Sequence, residues 1–72
     1  MGTVAAVGER ARVAGFALAG VVVLTAEQPV EVRKAWEDLP RGTALVIVTP
    51  AAALALGPER LDAGRPLTVV LP

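Results

Sequence analysis

The chain has 72 residues, with seven basic and seven acidic residues and neither cysteine nor histidine. This length predicts a single domain over residues 1–72, and the composition excludes disulfides and weakens the case for a metal site. Because the charges cancel and Phe16 and Trp36 are the only aromatic residues, a nucleic-acid partner is disfavoured, which leaves protein partners as the expected source of added stability.

The first elements in the chain are a strand, a helix and a second strand, at 3–7, 9–19 and 20–25. Both strands are short, β-branched and apolar without polar alternation, which is typical of parallel strands buried on both faces. Arg10 and Arg12 mark the exposed side of the helix. We expect the rest of the helix and the second strand to be buried.

The same region contains a charge-free window at 13–26, whose length decides whether it could cross a membrane. Fourteen helical residues rise only about 21 Å, whereas the hydrocarbon core of a bilayer is about 30 Å thick. A signal peptide is disfavoured because Glu9, Arg10 and Arg12 follow an apolar stretch instead of preceding it. We therefore expect a soluble cytoplasmic protein without direct membrane insertion.

The second helix is predicted at 28–39 and has the clearest signals. Pro29 suits its first turn, and Glu31 lies near the positive end of the helix dipole. The apolar residues that recur at helical spacing predict its buried face: Val32, Ala35, Trp36 and Leu39. A lone tryptophan could also be the centre of a binding surface, but this spacing favours the core.

A third strand, a third helix and a fourth strand follow, at 44–49, 50–64 and 67–71. Thr49 is predicted to be the N-cap of the helix, with Pro50 at its first position. Gly57 and Pro58 are predicted to end the apolar turns, and 59–61 to add one more turn.

Strict alternation of strands and helices predicts an α/β domain with a small four-stranded parallel sheet. The simplest strand order is 2-1-3-4, a flavodoxin-like three-layer sandwich with three helices. This order places the first helix on one face and the other two on the opposite face, so that one face over strands 3 and 4 lacks a helix. The residues predicted to form an apolar partner-contact patch there are Val46 and Val48 or their neighbours Leu45 and Ile47, together with Val69 or Val70.

The sequence offers little to catalysis or to a cofactor. It has no His, Cys or Tyr, and its only lysine, Lys34, lies beside Arg33 on a helix surface. Glu37 and Asp38 are adjacent and point in different directions from a helix. Glu9 is interpreted as a charge at a helix N-terminus rather than as a metal ligand. We therefore expect no catalytic residue, no cofactor and no metal.

Three glycines near the N-terminus could suggest a phosphate loop, but their spacing does not form the dinucleotide or P-loop pattern. Gly8 is interpreted as a tight turn from strand to helix. Gly15 is expected to permit close approach of helix to sheet, and Gly20 to cap the helix C-terminus.

Four segments carry a family resemblance: VAAVGERARVAGFALAGV, AEQPVEVRKAWEDL, ALVIVT and PLTVVLP. Together they resemble the F subunit of V/A-type (vacuolar-type) ATPases and ATP synthases, whose N-terminal domain carries a G-[DE] turn and then a G-F-x-L-A-G-[VI] segment. The matching residues here are Gly8, Glu9, Gly15, Phe16, Leu18, Ala19, Gly20 and Val21.

The resemblance implies a CheY-like α/β fold and a non-catalytic role in the central rotor stalk. There the protein would bind the coiled-coil D subunit, peripheral to the membrane, and help couple ATP turnover to proton or sodium transport. Members of this family usually continue into a C-terminal helical segment, whereas this sequence stops at Pro72, so the resemblance is to a short form. A homo-oligomer through the uncovered sheet face is a further expectation.

Two alternatives remain open from the sequence. One is a stand-alone regulatory or scaffolding module with a CheY-like fold and no phosphoacceptor. The other is a small nucleotide-binding domain that uses the Gly8 turn.

Overall fold

The computed structural model describes residues 2–72 and contains a single parallel sheet. The strands are β1 (Thr3–Gly8), β2 (Val22–Thr25), β3 (Thr43–Val48) and β4 (Leu67–Val70). The helices are α1 (Arg10–Val13), α2 (Pro29–Glu37) and α3 (Pro50–Leu61), and a 3₁₀ segment, Ala14–Ala19, follows α1 directly. Within residues 2–72, none of the helices combines the length and apolar character that crossing a membrane requires.

The strand order is β2-β1-β3-β4, with all neighbouring strands parallel, as predicted. The register aligns Val7 with Leu24 on one side and with Val48 on the other, and Val48 with Val70. Partners in a parallel ladder point to the same face, and successive residues alternate between faces. The register therefore assigns each apolar strand residue to one of two faces.

The helix-covered face carries the main core. Its buried residues come from the strands, α2 and α3, and Trp36 and Leu39 pack against them partly buried, as predicted. This buried set is Val7, Ala26, Val32, Val46, Val48, Ala52, Ala53 and Leu56. The alanines of this set come from α3 and from the residue after β2, and the strands contribute valines.

Both long helices begin with hydrogen-bonded N-termini, and the Thr49 cap of α3 is as predicted. The Thr49 hydroxyl accepts a hydrogen bond from the Ala52 N–H at 3.2 Å, with Pro50 at the first helical position. In α2 the Glu31 carboxylate accepts from the N–H groups of Glu27 and Gln28, at 2.8 and 3.0 Å. These bonds satisfy donors that a helix N-terminus would otherwise leave unpaired.

Helix α3 is bent at Gly57, which has a left-handed φ of 81° and is followed by Pro58. The apolar turns end there and one more turn follows, in agreement with the sequence prediction. The bend is of the kind that a glycine and a proline together impose, because one adopts positive φ freely and the other cannot continue the hydrogen-bond ladder.

The first crossover differs from the prediction. Instead of one buried helix, it consists of the single turn α1 and the 3₁₀ segment, and no residue of the 3₁₀ segment is buried. Val13 of α1 is fully buried, while Leu18 is 95% exposed. The expectation that the charge-free window is apolar because it is buried is therefore wrong, and β2 is an edge strand that is only partly covered.

Gly8, Gly15 and Gly20 differ in whether the structure requires a glycine at that position. Gly20 has φ of 79° at the end of the 3₁₀ segment, which confirms it as a C-cap. The interpretation of Gly15 as a close-approach residue is wrong, because a Cβ there would meet no atom within 4 Å. Gly8 is the residue that permits a close approach: a Cβ on it would overlap the side chain of Thr49.

This difference between Gly8 and Gly15 is testable. Gly8→Ala is expected to lower the free energy of unfolding by about 1–3 kcal/mol, because the added methyl would lie 2.6 Å from Thr49 Oγ1 in a packed site. Gly15→Ala, the control, is expected to be neutral or stabilising by up to about 1 kcal/mol, since it restricts the unfolded chain without a clash. Urea unfolding followed by circular dichroism measures both, and equal effects of the two changes would contradict this account.

Candidate interaction site

The most exposed apolar surface of the sheet lies over β3 and β4, on the face opposite α2 and α3. The register pairs Leu45 with Leu67 and Ile47 with Val69, and all four alternate with residues of the helix-covered face. Leu67 is 65% exposed and Val69 49% exposed. We call the surface formed by Leu45, Ile47, Leu67 and Val69 the open face.

The first crossover lies on the same face of the sheet as the open face, but it covers β1 and β2. The part of that face over β3 and β4 is therefore left open. In the covered part, Val13 of α1 is fully buried, together with Ala6 of β1. Helix α1 packs on β1 and β2, and the 3₁₀ segment packs on β2. The Arg12 guanidinium donates to the carbonyl of Pro72 at 3.0 Å. This bond links α1 to the residues that follow β4.

The structure distinguishes between the candidate contact residues. The sequence left two choices on each strand, and the register selects one of them. Leu45, Ile47 and Val69 lie on the open face. Val46 and Val48 are fully buried beneath α2 and α3, so the structure removes them from any exposed contact surface. Val70 is 45% exposed but belongs to the helix-covered face, where it lies beside α3.

Sequence reasoning missed three of the most exposed large side chains, namely Leu18, Leu54 and Leu67. Leu67 begins an apolar strand whose sequence does not show which residues are exposed. The register places it beside Leu45 on the open face. Leu54 is 86% exposed on α3, at the side of a groove that also contacts Val70 of β4. The spacing of apolar residues in α3 could have indicated this exposure. Leu54 does not share the helical face of the buried residues Ala52, Ala53 and Leu56.

The polar groups at the carboxyl ends of β1 and β3 bind one another. Thr49 Oγ1 donates to Glu9 Oε1 at 2.5 Å, and the Glu27 carboxylate accepts from the Arg10 N–H at 2.9 Å. The Thr49 hydrogen bond lowers the pKa of the Glu9 carboxyl, with smaller help from a backbone hydrogen bond and from Arg12. Glu9 is thus the residue before α1, as predicted, but its carboxylate ties β1 to β3 rather than capping the helix.

This edge of the sheet is where doubly wound α/β proteins bind ligands, because the strand order reverses between β1 and β3. Here the space between Glu9, Gln28 and Ala52 amounts to about 70 Å³, far below the roughly 300 Å³ at which small-molecule sites begin. The Thr49 side chain also occupies the space beside Gly8. The geometry therefore argues against the nucleotide-binding alternative.

The other charged groups have structural partners or lie in solvent. Lys34 pairs with Asp38 at 3.3 Å on the exposed side of α2. Backbone N–H donors to Glu31 lower the pKa of that carboxyl, as expected of a helix cap. Across residues 2–72, no three acidic, Cys or His side chains cluster in a way that could hold a metal ion.

The bond between Glu9 and Thr49 predicts a pH-dependent contribution to stability. Because folding lowers the Glu9 pKa from its ordinary value of 4.5, the carboxylate stabilises the fold above that pH and loses its effect as the pH falls through the lowered pKa. Glu9→Gln is expected to cost at most about 1 kcal/mol at neutral pH, since the group is partly solvated. This difference from the parent should shrink as the pH falls below 4.5 and through the lowered pKa of Glu9.

Urea unfolding at a series of pH values measures this effect. Glu59→Gln, which changes an exposed carboxylate on α3, is the control and should shift stability by less than about 0.5 kcal/mol at every pH. A constant Glu9→Gln penalty at all pH values would show that the carboxylate charge is not the stabilising group.

Comparison with solved structures identifies a close structural relative. The crystal structure of the F subunit of the V-type ATP synthase of Archaeoglobus fulgidus matches with a TM-score of 0.81 and 26% sequence identity, over 99% of this chain and 98% of that chain. No family model and no curated protein matches the chain. The resemblance to the F subunit of V/A-type enzymes, seen first in the sequence, is thereby confirmed over essentially its full length.

Proposed function

We propose that this chain is a non-catalytic F-type subunit in the central stalk of a V/A-type ATPase or ATP synthase. The observation that carries the proposal is the match to the archaeal F subunit, which extends over both chains almost completely at a TM-score of 0.81. In this role the protein acts by binding other subunits, in the cytoplasm and peripheral to the membrane, and helps to couple ATP turnover to proton or sodium transport.

The chemistry of the residues supports binding rather than catalysis. The carboxylates nearest to the strand ends, Glu9 and Glu27, accept hydrogen bonds from Thr49 and from a backbone N–H. They join elements of the fold, and the space beside Glu9 at the strand ends, about 70 Å³, is too small for a substrate. A protein that transmits motion within a complex needs a stable body and a contact surface, and the chain supplies both.

We propose the open face as the surface that binds a D-type stalk subunit. A coiled coil offers apolar and long side chains along a rod about 10 Å wide per helix. The open face is two strands wide, and neighbouring strands lie about 4.8 Å apart, so its width matches one helix. Its four aliphatic side chains and the absence of charge on β4 fit an apolar helical stripe.

A second copy of the chain bound face to face would occupy the same surface. Either occupant would bury Leu67 and Val69, whose exposure is costly for a protein with a small core. Binding of the D-type subunit would then compete with self-association of the open face.

The binding proposal is tested with the D-type subunit of the same enzyme complex. Leu67→Asp should weaken its binding at least about tenfold, because a carboxylate in an apolar contact loses hydration without gaining a partner. Val30→Asp is the matched control: Val30 is also 65% exposed, but it lies in the first turn of α2, on the opposite side of the sheet, where an acidic residue is favourable. Isothermal titration calorimetry measures both affinities.

Two results would count against the proposal in different ways. If the folded parent chain shows no affinity for the D-type subunit, the stalk function fails, and the stand-alone module without phosphoacceptor becomes the better account. If the parent binds and both variants bind equally well, the function stands and the open face is not the contact surface.

A further inference from the structure

The outer edge of β4 carries a self-complementary sequence that the open face does not explain. β4 is the last strand of the sheet, and no strand within residues 2–72 pairs with its outer edge. The segment 66–72 reads Pro-Leu-Thr-Val-Val-Leu-Pro. Read backwards from Pro72, it is the same except that Thr68 and Val70 exchange places, and these two side chains have almost the same shape. Val69 is the centre of this near-palindrome.

The direction of the backbone groups follows from the pairing with β3. The Leu71 N–H donates to the Val48 carbonyl at 2.9 Å, so Leu71 directs its backbone polar groups toward β3. Successive residues of a strand direct these groups to opposite edges. Thr68 and Val70 therefore present free N–H and C=O groups at the outer edge. The flanking outward positions are Pro66 and Pro72, which have no N–H to donate.

A second copy of the chain can form hydrogen bonds with the outward N–H and C=O groups of Thr68 and Val70 in one register. When two β4 strands run antiparallel with Val69 opposite Val69, each Thr68 lies opposite the Val70 of the other copy. These are the positions with outward groups, so the two pairs form four N–H···O=C bonds. Each Pro66 then lies opposite a Pro72, and no donor is left without an acceptor. The carbonyl groups of Pro66 and Pro72 already accept hydrogen bonds within the chain, from the Thr68 hydroxyl and the Arg12 guanidinium.

The side chains on either face of this ladder also match. Leu67 lies opposite Leu71 on the side of the open face, and Val70 lies opposite Thr68 on the helix side. An apolar groove of about 390 Å³ runs along β4 on the helix side, lined by Leu54, Pro58, Leu61 and Val70 among others. A two-fold axis through Val69 brings the α3 helices of the two copies side by side over this groove, and it gives the 86% exposed Leu54 a surface to cover.

We infer that the free chain forms a two-fold dimer by antiparallel pairing of its β4 edges, with Val69 at the axis and the α3 grooves facing each other. The pairing uses the edge of the sheet and one side of α3, and leaves the open face uncovered. It differs in this from the face-to-face association expected for the open face, and it does not rest on the proposed stalk function.

Cross-linking tests the register directly, because the chain has no cysteine of its own. In Val69→Cys the two new thiols lie at a non-hydrogen-bonded antiparallel pair, with Cα atoms about 4.5 Å apart, within disulfide range. In the control Leu67→Cys, each thiol lies opposite position 71, four residues from its counterpart, about 14 Å away. Leu67 is the more exposed of the two sites, so accessibility alone favours the control.

With copper phenanthroline and air as the oxidant, Val69→Cys should form a disulfide dimer at least about tenfold faster than Leu67→Cys. Equal rates, or faster cross-linking of Leu67→Cys, would overturn the proposed register. Face-to-face association through the open face would instead favour cross-linking of Leu67→Cys, because Leu67 is the more exposed residue. The two modes of association therefore predict opposite orders of cross-linking rate.

Sedimentation equilibrium of the cysteine-free chain, from about 10 µM to about 1 mM, measures the dimer itself in the range of weak association. Val70→Pro removes an outward N–H that does not pair with β3, and should weaken the dimer at least about tenfold with the fold retained. Thr68→Val completes the palindrome and should dimerise at least as well as the parent. A parent chain that stays monomeric throughout, or a Val70→Pro variant that dimerises equally, contradicts the inference.

Discussion

The handedness of crossover connections is the constraint from which most features of this molecule follow. Each parallel connection is right-handed, so moving outward from β1 to β2 puts the crossover on one face, and moving the other way to β3 and β4 puts both remaining helices on the opposite face. Three crossovers cannot cover two faces of four strands equally. The half-covered sheet is therefore a consequence of strand order, and the aliphatic residues of β3 and β4 make the uncovered half apolar.

The same topology explains why the polar residues bind one another rather than a ligand. The junction between β1 and β3 is a cleft in larger members of this architecture. Here Gly8 lets the Thr49 side chain approach the end of β1, and the Thr49 hydroxyl then serves both the N-terminus of α3 and the carboxylate of Glu9. One buried side chain thus joins two strands and a helix, and it fills the space that a ligand would need.

Local signals made the strands, both long helices and the sheet order predictable from sequence. Helix caps such as Thr49 and apolar strands are local signals, and once the simplest strand order is taken, handedness fixes the face that each crossover covers. The first crossover was not predictable in the same way, because apolar composition does not reveal whether a segment is buried, and Leu18 is almost fully exposed. The choice between Val46 with Val48 and Leu45 with Ile47 required the register, since a strand without polar alternation does not show which face is covered.

The open face and the outer edge of β4 share residues but make different demands on a partner. The open face needs apolar side chains laid across two strands, whereas the edge needs backbone groups in one register. A two-fold axis perpendicular to the sheet would leave both open faces on the same side of one continuous eight-stranded sheet. Edge pairing would therefore double the open apolar surface instead of burying it. Since large exposed apolar surfaces favour association, the paired form would bind a helical partner on that side more readily, and the two associations would support each other.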